Sequence, residues 1–225
     1  MQFVPQYVVY SAVVGSRAFG LATEASDEDV RGVYLPPARW NWSLAKPPEQ
    51  VERIADGRDE VFWELEKFLV LALKANPNVL EVLWSPLVIV KDEVGERLRR
   101  MRRAFLSKRL RETYSGYVRS QLEKLHRDVA RTGAYKPKHA MHLVRLLHSG
   151  IHAVATGDIL VDVGVHRDEL LAIRRGGVPL AEVASRARAL DEEFRRAFER
   201  TRLPDEPDTA RVDRFLVWAR RSRVR

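Results

Sequence analysis

Gly15 and Ser16 close an apolar, β-branched run, and after ten intervening residues the chain offers Asp27 and Asp29. The run from Val8 to Val14 reads as a buried strand ending at a glycine turn. Asp27 and Asp29 are spaced i and i+2, and on a strand such side chains share one face. Two carboxylates on one face repel unless a cation lies between them. Mg²⁺, or Mn²⁺ in its place, suits such a pair, because a hard cation takes one or two carboxylates together with substrate phosphates. The Gly-Ser turn supplies backbone N–H groups and a hydroxyl for those phosphates, and glycine lets them approach the main chain. The ordered combination of strand, Gly-Ser and Asp-x-Asp therefore describes a site for a metal and a nucleoside triphosphate.

The elements that must hold these residues follow from periodicity and breakers. A second strand is expected from Asp29 to Leu35, stopped by Pro36 and Pro37. Residues 36–50, rich in Pro, Trp and Ser, read as a loop, and 51–60 has room for a short strand. Apolar residues at Val61, Phe62, Leu65, Phe68, Leu69 and Ala72 have helical spacing, so a helix is expected over 61–75, ended by Asn76-Pro77. A short helix at 79–84 and a short strand at 87–90 follow. Beyond them the pattern is helical, at about 92–105, 107–132, 137–156, 166–174, 180–201 and 208–222. The fold class expected is α+β: a small α/β domain at 1–95, then an all-helical domain at 96–225.

Composition narrows the classes. Hydrophobic residues make up 45% of the 225, which excludes a disordered chain. Cysteine is absent, excluding disulfides and thiolate metal sites. The longest apolar run, Phe68 to Leu73, is far below the roughly 20 residues of a membrane span. The N-terminus lacks a basic stretch ahead of its apolar one, so no secretory signal is expected, and a cytoplasmic location is. Residues 1–95 hold nine Lys/Arg and fourteen Asp/Glu, whereas the remainder holds thirty and seventeen, an acidic front and a basic rear. Acidic parts can hold cations and basic parts attract phosphate.

The stretch GSRAFGLATEASDEDVRGVYL resembles the nucleotide-binding signature of the DNA polymerase β-like nucleotidyltransferase superfamily. More narrowly it is similar to a bacterial and phage family of nucleotidyltransferases associated with RNA repair. Gly15, Ser16, Arg17, Ala18, Phe19, Gly20 and Leu21, then Ser26, Asp27, Asp29, Arg31 and Gly32, carry the likeness. WELEKFLVLALKANPNVLEVLWSP at 63–86 and KPKHAMHLVRLL at 136–147 extend it. The resemblance implies a polymerase β-like catalytic domain that transfers a nucleoside monophosphate from a nucleoside triphosphate to a hydroxyl, releasing pyrophosphate. Asp27 and Asp29 would hold Mg²⁺, Ser16 would contact the triphosphate, and a third carboxylate on a neighbouring strand would complete a two-metal site. Asp59 falls four positions before Trp63, where related chains carry an acid; Glu60, Asp56 and Glu64 are the alternatives. Asp59 and Glu60 would face opposite sides of a strand, so only one can join the site. The acceptor implied is RNA, tRNA-like, or else a protein hydroxyl. The competing readings are a non-catalytic nucleotide- or nucleic-acid-binding module and an antitoxin-like, AMP-transferring partner of another protein.

Arg17 and Arg31 flank the carboxylates and can either bind phosphate or pair with Asp27 or Asp29. On the helix at 137–156, Lys138, His142, Arg145, Ser149 and His152 lie opposite an apolar stripe. They form either a solvated basic face or a face toward triphosphate or RNA, with Lys138, His142 and Arg145 as nucleotide-binding candidates. His139 and His142, three apart, can reach one metal but lack a carboxylate partner in the sequence nearby. Residues 97–111 hold eight Lys/Arg and no acid, either a phosphate-binding patch or a solvated face around Leu98, Met101, Phe105 and Leu106. Tyr34, Trp40 and Trp42 can stack a base or form a satellite core.

Overall fold

The computed structural model describes residues 5–24, 26–55 and 57–224. The chain divides into two compact units, Met1–Leu106 with Glu206–Arg225, and Ser107–Asp205. Among the described residues the first unit is built on a five-stranded sheet of β1 (Val8–Val14), β2 (Glu28–Tyr34), β3 (Gln50–Ala55), β4 (Arg58–Glu64) and β5 (Val88–Lys91), in the order β3-β4-β2-β1-β5. β1 runs antiparallel to β2 and β5; β4 runs parallel to β2 and antiparallel to β3. The parallel pair β4–β2 thus has β3 on one side and β1, then β5, on the other.

β1 appears as the sequence indicates. The turn after it is one helical turn, α1 (Gly15–Ala18), and the Trp-rich loop holds another short helix, α2 (Ala38–Trp42). The helix expected from Val61 starts later, because β4 continues through Glu64 and α3 covers Leu65–Leu73. Val61, Phe62 and Trp63 are all buried. A strand covered on both faces carries a continuous apolar run, which helical spacing cannot be told from over so short a window. The Glu64 carboxylate accepts from the Glu66 N–H at 2.7 Å and starts α3. α4 (Pro77–Trp84) begins with Pro77 in its first turn and the Asn76 side chain accepting from the Asn78 N–H.

The boundary expected at 95/96 lies inside a helix, α5 (Glu93–Arg100). Asp92 caps α5 by accepting from the Gly95 N–H at 2.9 Å. Gly95 lies so close to β1 that a Cβ there would sit 2.1 Å from the Val9 carbonyl oxygen. Val94, Leu98, Met101 and Phe105 are buried, so the chain stays with the sheet to Leu106.

The second unit is helical among its described residues: α6 (Arg109–Thr132), α7 (Pro137–Thr156), α8 (Arg167–Arg174) and α9 (Leu180–Glu199). α7 packs against the other three. It is buried on nearly every side, including Arg145, His148 and Ser149. Of the face read as either solvated or turned to triphosphate or RNA, Arg145 and Ser149 are buried, His142 and His152 half-buried, and Lys138 exposed. The chain then returns to the first unit as α10 (Thr209–Arg221). Arg97 lays its guanidinium 3.9 Å from the Trp218 ring centre, and Arg220 donates to Glu66 at 2.6 Å. Arg223 donates to Asp92 at 2.9 Å. The last helix belongs with the sheet rather than with the helices before it. Among the described residues no helix is long and apolar enough to cross a membrane.

Candidate active site

The end of β1 is held from the side opposite β2. The Ser85 hydroxyl donates to the Val13 carbonyl at 2.5 Å, and the Val13 N–H donates to the Leu87 carbonyl at 2.9 Å. Ser85 is fully buried, within the segment 63–86. β1 then turns at Gly15, whose φ is +67°, a region other residues enter at a cost of about 1–2 kcal/mol. Val14 pairs with Asp29 across the β1–β2 ladder. A Cβ on Gly15 would stand 2.5 Å from the Asp29 Oδ2 atom. The glycine thus gives room for the turn and for the carboxylate at once. Ser16 follows, half-buried, on α1.

Asp29 and Asp59 are register partners across the parallel β2–β4 pair, so their side chains share one face of the sheet. Arg31, two residues along that face, joins them. Its Nη2 is 3.6 Å from Asp29 Oδ1 and 3.2 Å from Asp59 Oδ2, and its Nη1 donates to the Asp59 carbonyl at 2.7 Å. Arg31 thus pairs with both aligned carboxylates. Arg17 instead donates to the Ser26 carbonyl at 3.1 Å and lies 4.0 Å from Glu28. Neither arginine forms an ion pair with Asp27 among those found. Asp27 is exposed and immediately precedes β2, whereas Asp29 lies within it. Asp27, Asp29 and Asp59 do not bring their oxygens within 4.8 Å of one another.

The alternatives to Asp59 are differently engaged. Glu60 is buried and pairs with Arg53 at 2.7 Å on the opposite face, as strand alternation requires. Glu64 caps α3, and burial pushes its carboxyl above the usual range against the pull of Arg220. Asp56 lies outside the described residues.

Lys138, His142 and Arg145 lie on α7 of the second unit, Lys138 exposed, His142 half-buried and Arg145 buried. Burial, then Arg145 and Lys138, hold the His142 imidazole down at about 3, so it is neutral near pH 7. His139 does have a carboxylate partner: its Nδ1 is 2.6 Å from Asp128 Oδ2 on α6. In the basic run, Arg97 and Arg100 pair with Glu93 and Glu96 along α5, and Arg102 lies over Trp84. Tyr34 is buried and its hydroxyl donates to the Pro48 carbonyl. Trp40 meets Tyr7 edge-on at 5.5 Å, whereas Trp42 is 72% exposed. Of the three aromatics, Tyr34 is closed to base stacking and Trp42 is open to it. The sequence reading singles out neither Ser85 nor the group of His148, His166 and Glu169. For the last, the His-x-x-Glu spacing at 166–169 is the signal.

The fold is α+β, with a glycine turn beside paired aspartates on adjacent strands of a mixed sheet. The chain belongs to the RNA repair pathway DNA polymerase beta family (RlaP), whose family model matches residues 3–218. It is 39% identical to the uncharacterised protein YcgL of Bacillus subtilis over 97 residues, 42% of this chain and 37% of that protein. An uncharacterised protein of Methanocaldococcus jannaschii is 26% identical over 168 residues, 73% of this chain and 66% of that one. A 38.9 kDa protein of phage T4 is 28% identical over 129 residues, 52% and 38%. The matches span from 37% to 66% of these relatives' own length. Among solved structures the chain is similar to a nucleotidyltransferase-like protein from Exiguobacterium sibiricum. The two are 14% identical with a TM-score of 0.30, over 96% of this chain and 69% of that one.

Proposed function

We propose that this chain is a divalent-metal-dependent nucleotidyltransferase that transfers a nucleoside monophosphate from a nucleoside triphosphate to a hydroxyl of an RNA acceptor. The observation that carries this reading is the alignment of Asp29 with Asp59 on neighbouring parallel strands, beside a Gly15 turn with no room for a side chain at Asp29. The donor set, carboxylate oxygens alone, fits Mg²⁺ or Mn²⁺. Asp27, Asp29 and Asp59 would be the ligands. When bound, the metal supplies charge neutralisation to the triphosphate and lowers the pKa of the attacking hydroxyl. Ser16 and the backbone N–H groups of the turn orient the phosphates. Asp59, the most open of the aligned pair, takes the proton from the acceptor hydroxyl as it attacks the α-phosphorus. The bond from that phosphorus to the bridging oxygen breaks and pyrophosphate departs. Positioning and electrostatics provide most of the rate. In this reading Lys138, His142 and Arg145 contribute to binding nucleotide or RNA, and the protein works in the cytoplasm.

One observation favours a second reading. Arg31 already pairs with both aligned carboxylates, which is the arrangement a nucleotide-binding module without catalysis would keep. The experiment that separates the two is incubation with Mg²⁺, labelled nucleoside triphosphates and mixed RNA. The enzyme gives label transfer that falls on the order of 10³-fold or more in Asp29→Asn and Asp59→Asn. RNA or nucleotide binding that survives both substitutions, with no transfer by the unmodified chain, selects the module.

A further inference from the structure

The second unit contains a group of chemically different character from the aspartates. His148 of α7, His166 at the start of α8 and Glu169 one turn later present donor atoms that all lie within 4.8 Å of one another. The two imidazoles come from separate elements yet stack, with centres 3.7 Å apart and planes 21° apart. His148 is 6% exposed, and its Nε2 is 2.9 Å from Glu169 Oε2. The other oxygen of that carboxylate, Oε1, accepts from Arg186 Nε of α9 at 2.5 Å. Arg186 Nη2 also donates to Oε2 at 3.4 Å, so the guanidinium orients the carboxylate by both oxygens while Oε2 meets His148 as well. Outer hydrogen bonds of this sort are what fix a metal-binding carboxylate. Beside the two rings opens a cavity of about 330 Å³, also lined by His152, Gly164 and Glu193.

From this geometry we propose that His148, His166 and Glu169 form a binding site for a transition-metal cation of the Zn²⁺ type. Two imidazoles and one carboxylate with an open side match the three-ligand zinc arrangement, in which water or another small ligand takes the fourth position. Tetrahedral donors at about 2.0–2.1 Å from zinc stand about 3.3 Å apart, so the donor spacing is near that required, and on binding the stacked rings must tilt until their in-plane lone pairs converge on the ion. Nitrogen donors favour Zn²⁺, Co²⁺ and Ni²⁺ over Mg²⁺, which seeks oxygen. The cavity gives the ion its route in and leaves its outer position open to solvent. The alternative is a hydrogen-bonded His148–Glu169–Arg186 network with His166 stacked upon it and no ion.

The two are separated with the full chain stripped of metal by a chelator. Co²⁺ is titrated in and followed by its visible absorption, with excess Mg²⁺ present to occupy oxygen sites. One equivalent should bind with the intense bands of a four- or five-coordinate ion, and Zn²⁺ should displace it. The same titration should be unchanged in Asp29→Asn, which keeps this site distinct from the aspartates. His166→Phe retains a ring to stack on His148 but removes the donor, and should weaken Co²⁺ binding by about 100-fold or more. Glu169→Gln should do likewise, with circular dichroism confirming that both variants are folded. Failure of the chain to bind Co²⁺ at 100-fold excess overturns the proposal. So does equal binding by folded His166→Phe, or loss of the bands in Asp29→Asn.

Discussion

Asp29 on β2 and Asp59 on β4 stand abreast in the parallel ladder, and one guanidinium, that of Arg31, lies 3.6 Å from the first and 3.2 Å from the second. The arginine fills the electrostatic role that a divalent cation would share. Removing it should expose the mutual repulsion of the pair. Arg31→Met should melt lower than the unmodified chain in chelator, by about 2–4 °C, since a pair this exposed is worth about 1 kcal/mol or less. Added Mn²⁺ should then raise its melting temperature more than it raises that of the unmodified chain. Equal rises in both proteins would remove the aligned pair from consideration as a metal site.

Gly15 is the most constrained position at the site. Gly15→Ala combines a left-handed backbone with a Cβ 2.5 Å from Asp29 Oδ2. The cost expected is about 1–2 kcal/mol of stability, seen in urea unfolding. Label transfer should fall at least about tenfold, because the carboxylate must swing aside. A variant that transfers as well as the unmodified chain would mean that the position of Asp29 is immaterial.

α10 should be indispensable to the sheet unit. Arg220 reaches Glu66 at 2.6 Å and lies 3.7 Å from Glu64, whose Oε1 has no hydrogen-bond partner. Arg220→Ala leaves a buried carboxylate uncompensated and should cost about 1–3 kcal/mol. Adding Glu64→Gln should recover part of that loss, and a double-mutant cycle would read the coupling. Strict additivity would show that Arg220 acts elsewhere.

His142 should shape the acid limb of the stability curve. Its folded value, about 3, lies below the unfolded value near 6.5, so between them the unfolded chain binds the extra proton. Its contribution is complete above pH 6.5 and is lost progressively as pH falls toward 3. The groups acting on it are Arg145, Lys138 and His139 on its own helix and Lys124 on α6. His142→Gln should flatten unfolding free energy between pH 7 and pH 5 by about 2 kcal/mol. Parallel curves for the two proteins would show that His142 is charged in the fold.

The sequence by itself determined β1, the helix boundaries at 107–156 to within a few residues, and the glycine turn after β1. It did so because these rest on local rules: apolar periodicity, the Asn76-Pro77 stop, and a glycine whose conformation few residues share. That Asp59 and Glu60 take opposite faces was legible too, since strand alternation separates them, and Glu60 meets Arg53. What only the tertiary structure decided depends on partners distant in sequence. Glu64 ends a strand because β2 and β3 pair with both edges of Val61–Trp63, which periodicity reads as a helix start. The stretch 96–106 and α10 join the sheet because Gly95 lets α5 press on Val9 and because Arg220 and Arg223 find Glu66 and Asp92. Arg31 turns to the aligned aspartates, and His148, His166 and Glu169 converge, only once strands and helices far apart in the chain are packed side by side. Spacing along a chain fixes which way a side chain points from its own element; what it meets there is set by the neighbouring element that burial of the core brings against it.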